Sequence, residues 1–214
     1  MSTPEIINIL AIVISLMIAI IGHEIMHGRV AFYYKDDTAK ELGRLSVNPI
    51  VHIDILGTII VPAMLYLSHA GFLFGWAKPV PINMKKVIQN GGYNGAIAVS
   101  LAGVIYNFLV AFISYLLLKV APTPTDLTTL FIKSLLTYSL IYNIVLGIFN
   151  LFPIPPLDGS RVFSFILRKL NLHTFANKFD SAGKYGMIIL IILIASPLSK
   201  YVFAPIGYIL KAII

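Results

Sequence analysis

The sequence predicts an all-α polytopic integral membrane protein, and composition and apolar run length carry that prediction. The chain is 58% hydrophobic and only 12% charged, about half the charged fraction of a soluble domain. Its mean hydropathy is +0.88. Several apolar runs approach or exceed the roughly 17–25 residues that carry a helix across a bilayer.

The first run, 5–30, has no Lys or Arg before it and no small-residue cleavage site after it, so it reads as a retained span rather than a cleaved signal. Residues 55–74 are also apolar, but Gly57, Pro62 and Gly71 interrupt them, which argues against a straight helix. In "GWAKPVPIN" (75–83) the prolines resist a helix and favour a short extended stretch. Two long helices follow over about 94–119 and 131–150, and two shorter segments over about 184–196 and 201–213 close the chain. The whole, 1–214, reads as one membrane domain of about five to six segments, with a core over about 5–170 and C-terminal membrane segments over about 184–214.

Charge sets a topology. The net charge of +7 in a soluble protein would point to nucleic acid; here the basic residues sit between apolar runs and read as topology determinants at a lipid surface. Seven lie between 28 and 93 and five between 151 and 184. If 55–74 enters the membrane and returns on the same side, thirteen of the sixteen Lys and Arg residues face the cytoplasm. Re-entrant backbone is tolerated only where protein buries it or water reaches it, so 55–74 is expected to flank a hydrated cavity. The absence of cysteine excludes disulfides and thiolate ligands. Any metal must be held by His and carboxylate.

The residues that carry chemistry start in "SLMIAIIGHEIMHGRV" (15–30), where an apolar run ends in His23, Glu24 and His27. From Ile6 to His23 a helix rises roughly 25 Å, which puts these groups within the membrane and near one face. Residues i and i+4 share a helical face, so His23 and His27 can address one ion while Glu24 offers a general base beside it. A catalytic zinc takes three protein ligands. His52, His69 and His173 are the remaining histidines, read as anchoring, structural or solvated groups. "NLFPIPPLDGSR" (150–161) offers an acid instead. Pro153, Pro155 and Pro156 end one helix there, and Asp158 stands before the next helical pattern, as ligand or as N-cap. The charge-based topology brings both stretches to the same side.

These pieces together resemble the site-2 protease family of intramembrane zinc metalloproteases. "HEIMHG" (23–28), "TAKELGRLSVNPIVHID" (38–54), "GWAKPVP" (75–81), "AGVIYNF" (102–108) and "NLFPIPPLDGSR" occur in the family's order over about residues 20–165. The resemblance implies His23, His27 and Asp158 as ligands of one Zn2+ and Glu24 as catalytic base. It implies Asn150 and Asn107 as groups for the substrate carbonyl and oxyanion. Val104 and Ile55 stand where the family pattern usually has proline. The expected activity is zinc-dependent endoproteolysis of transmembrane or membrane-tethered proteins near the cytoplasmic side of the cell membrane. The partners expected are those substrates and the lipid bilayer, with no nucleic acid; a homo-oligomer is compatible with this reading. The alternative is a non-catalytic membrane zinc protein, a scaffold or transporter, although such a site has no need of Glu24.

Overall fold

The computed structural model describes residues 2–69 and 75–213. Helix α1 (Thr3–Tyr33) begins with Pro4 in its first turn and with Glu5, whose Oε2 accepts the Ser2 N–H at 2.7 Å. Its buried positions include Ala11, Ser15, Ala19, His23, His27 and Ala31, one residue in every four. Such a row is a single ridge on a helix surface. Small side chains along its first half let neighbouring helices approach closely. Further along, the same row is filled by imidazoles.

The neighbours are α4 (Met84–Val120), which bends at Gly92 (φ 59°), and α5 (Leu127–Asn150). Asp126 starts α5 by accepting the Thr129 N–H at 2.8 Å. Helices α1, α4 and α5 pack pairwise on one another, and each is long and apolar enough to cross a bilayer. Their outward faces carry exposed Ile9, Leu10, Val13, Leu109, Phe112 and Leu116, as lipid contact requires.

Between α1 and α4 the chain forms α2 (Thr38–Glu41), a 3-10 turn (Pro49–His52), a π-helical turn (Ile55–Ile60) and α3 (Val61–Leu67). It then doubles back. Lys78 N–H donates to the His52 carbonyl at 2.9 Å, and Trp76 N–H to the Gly57 carbonyl at 3.1 Å. The far end of the interrupted apolar segment, 70–74 with Gly71, lies outside the described residues. Segment 75–83 is non-helical, as its prolines demand. Among the described residues there is no strand to pair it. Charged side chains hold it instead: Arg44 Nη2 donates to the Lys78 carbonyl at 2.8 Å, and buried Asp36 accepts the Asn83 N–H at 2.6 Å.

After α5 the prolines break the helix, and the chain continues through α6 (Asp158–Lys169), α7 (His173–Ala182), α8 (Gly186–Ala195) and α9 (Ser199–Ile213). The two C-terminal segments expected from the sequence are 10 and 15 residues long. They form one bent unit: the stretch His173–Ala195 meets α9 at 90°. Pro197 explains the break, because it pushes Ser196 into extended backbone (ψ 162°). Among the described residues three helices are long and apolar enough to span, or four with the bent pair counted as one. The chain is a multi-pass helical membrane protein.

The packing row on α1 is testable. Ala19→Leu inserts a large side chain where no space exists and should lower stability by about 1–3 kcal/mol. Val13→Leu on the exposed face should change it by less than about 0.5 kcal/mol. Unfolding of purified protein in detergent compares the two.

Candidate metal centre

Two helices bring three side chains to one point. His23 and His27 come from α1, four residues apart, and Asp158 from the first turn of α6. His23 Nε2 lies 3.0 Å from Asp158 Oδ2, His27 Nε2 lies 3.1 Å from the same oxygen, and the two Nε2 atoms are 3.1 Å apart. All three residues are buried.

The other ring nitrogens decide what these atoms can do. His23 Nδ1 faces Asn107 Oδ1 at 2.6 Å, and His27 Nδ1 faces the Val99 carbonyl at 2.7 Å. Both partners are acceptors, so each imidazole carries its proton at Nδ1 and turns a bare Nε2 lone pair inward. Two nitrogen lone pairs and a carboxylate oxygen therefore converge on one point. A cation resolves that conflict, and this donor set, with its Nδ1 protons engaged behind it, fits a divalent metal such as zinc.

Room for His23 comes from Gly103 on α4: a Cβ there would stand 2.5 Å from the imidazole. Asp158 reaches the site because α5 ends at Asn150 and the Pro-rich turn starts a new helix beside the ligands. Glu24 lies one position beyond His23 and so points about 100° around α1 from it. Its Oε2 accepts the Val80 N–H at 2.9 Å, which ties the carboxylate to segment 75–83. His23, Glu24, His27, Asn150 and Asp158 line a cavity of about 370 Å³ together with Trp76 and Val80, a volume that suits a short peptide segment.

The remaining expectations divide. Asn150 lines the cavity, with one Nδ2 hydrogen directed to the Leu146 carbonyl at 3.0 Å. Asn107, expected at the substrate carbonyl, is placed elsewhere. It is fully buried behind His23, and Nδ2 donates to the Ala19 carbonyl (3.1 Å) and Asn143 Oδ1 (2.8 Å). With Oδ1 on His23 as well, no group of Asn107 faces the cavity. His52 and Asp54 do not pair with each other: His52 Nε2 meets the Ser46 carbonyl at 2.8 Å, and Asp54 Oδ1 caps the Gly57 N–H at 2.7 Å. Both hold the root of the doubled-back segment. His69 and His173 are exposed.

Sequence reasoning missed Arg44, Asp36 and Asn143. Arg44 and Asp36 lie in loops, where charge is ordinary, and nothing local marks them as buried. Asn143 did carry a signal, a side-chain amide in the middle of an apolar run.

A helical membrane fold holding two histidines and an aspartate beside a cavity carboxylate defines a metal-centre protein of hydrolytic type. The model of peptidase family M50 matches residues 119–194. "Putative zinc metalloprotease YwhC" of Bacillus subtilis (strain 168) is 37% identical over 198 residues, covering 91% of this chain and 84% of that protein. The chain belongs to peptidase family M50, the site-2 protease family. No solved structure gives a significant match.

Gly103→Ala tests the fit around the ligand. The added methyl should push the His23 ring off the convergence point and weaken divalent-metal retention by roughly tenfold or more. Metal analysis after dialysis against a chelator reads the loss.

Proposed function

We propose that the protein is a zinc-dependent endopeptidase of the membrane, cutting transmembrane or membrane-tethered proteins near the cytoplasmic side. The observation that carries this reading is the convergence of His23 Nε2, His27 Nε2 and Asp158 Oδ2, with the Glu24 carboxylate beside them in an accessible cavity. The similarity to a protein named as a zinc metalloprotease supports it. The distribution of basic residues supports the cytoplasmic side. The return of Trp76 and Lys78 to the carbonyls of Gly57 and His52 supports a re-entrant segment walling a hydrated cavity.

His23, His27 and Asp158 would hold the zinc. Bound there, the ion would supply Lewis acidity toward a carbonyl and a water molecule. Glu24 is the proton carrier: Oε1 or Oε2 accepts a proton from the attacking water and returns it to the departing amide nitrogen. The Val80 N–H, at 2.9 Å from Oε2, fixes the carboxylate while it does so. Asn150 Nδ2 carries two hydrogens, of which one serves Leu146. The other is available to the developing oxyanion. Arg44 acts at a distance, holding the carbonyls of Lys78 and Pro79 so that the next N–H, that of Val80, meets Glu24.

Purified Glu24→Gln protein should retain zinc and lose cleavage of a reconstituted membrane substrate by at least about a hundredfold; normal cleavage would overturn the mechanism. Asp158→Ala should lose the zinc itself, read by metal analysis. Arg44→Met should keep its zinc while kcat falls, on the order of tenfold for a misplaced base.

A further inference from the structure

Asn143 is 0% exposed in the middle of α5, and the chemistry above does not use it. It is nonetheless linked to His23 through a line of hydrogen bonds with a fixed sense. The line starts at the Ser139 backbone carbonyl, which can only accept. Asn143 Nδ2 donates to it at 2.8 Å, so Asn143 Oδ1 is turned toward α4. Asn107 Nδ2 donates into that oxygen at 2.8 Å and into the Ala19 carbonyl at 3.1 Å. Both amide hydrogens of Asn107 are then in use. Its Oδ1 is what remains to face His23 Nδ1, at 2.6 Å.

The sense matters more than the bonds. A neutral imidazole carries one N–H, and an acceptor at Nδ1 holds the proton there. If the Asn107 amide turned over, an N–H would face Nδ1, the imidazole proton would sit at Nε2, and the lone pair aimed at Asp158 would be lost. His27 is not exposed to this failure, because its Nδ1 meets a backbone carbonyl that cannot turn. His23 relies on a side-chain amide. That amide is kept from turning by two acceptors, Ala19 O and Asn143 Oδ1.

We propose that Asn143 is a positioning residue of the metal centre: through Asn107 it selects the His23 tautomer that can bind zinc. This rests on the reading that His23, His27 and Asp158 hold the ion. It accounts for a polar amide in an apolar helix, where such groups are otherwise a cost.

Zinc affinity of the full-length protein in detergent, measured by competition with a chromophoric chelator, tests it beside thermal unfolding of the stripped protein. Asn143→Leu removes the acceptor and should weaken zinc about tenfold, the lower end for groups behind a ligand, while the stripped protein, with one Asn107 N–H left unpaired, unfolds no earlier than the aspartate variant. Asn143→Asp keeps an acceptor in either protonation state. It should hold zinc within about twofold of wild type although its stability falls. A merely structural role predicts that affinity follows stability, with the aspartate variant the weaker binder, and that result overturns the proposal. So does wild-type affinity in a folded Asn143→Leu. Should the leucine variant not fold, 15N-histidine spectra of stripped wild type decide: protonation of His23 at Nδ1 supports the proposal and protonation at Nε2 overturns it. Equal zinc binding by wild type and Asp158→Ala would reject the metal assignment itself, whatever Asn143 does.

Discussion

Two imidazole nitrogens and a carboxylate oxygen converge at 3.0–3.1 Å, and with both Nδ1 atoms engaged elsewhere this donor set is suited to a divalent cation. The rest of the fold is arranged around that convergence. An ionisable residue at the centre of a membrane helix costs about 2.5–3.5 kcal/mol on insertion scales. A zinc ion on a three- or four-ligand site is worth about 10–16 kcal/mol in structural zinc peptides near neutral pH. The metal term exceeds the insertion cost of the few groups involved, so the site is affordable only as a unit. Removing one ligand leaves the cost of the others in place.

The unit is assembled by packing. The row Ala11, Ser15, Ala19 on α1 is small enough for α4 and α5 to lie close, and that closeness puts Asn107 and Val99 within reach of the two imidazoles. Gly103 continues the same logic on the facing helix, where a missing side chain accommodates an aromatic ring. Small residues and the candidate metal ligands therefore belong to one continuous helix face. The first half brings the helices together and the second half uses the proximity.

The cavity side is organised differently. Segment 75–83 is non-helical and, among the described residues, has no strand partner, so its position comes from individual contacts: the backbone bonds of Trp76 and Lys78 to Gly57 and His52, Arg44 on two carbonyls, Glu24 on the Val80 amide and Asp36 on the Asn83 amide. The Val80 contact also ties the Glu24 carboxylate to this segment.

Much of this was legible in the chain itself. The 3.6-residue repeat places His23 and His27 on one face, three prolines end α5 before Asp158, and apolar runs mark α1, α4 and α5, because each of these depends on neighbours in sequence. Tertiary structure alone decided the rest. Asn107 looked like a substrate contact by its motif and lies behind His23, because which helix face it shows depends on how α4 packs on α1. Arg44 and Asp36 are ordinary loop charges until the chain doubles back and buries them against segment 75–83. Asn143 is an amide in an apolar run that sequence reasoning passed over, and its role follows only from the direction of three hydrogen bonds joining α5, α4 and α1. Local sequence determined which groups could bind a metal; the tautomer and the base's partner were set by contacts between residues far apart in the chain.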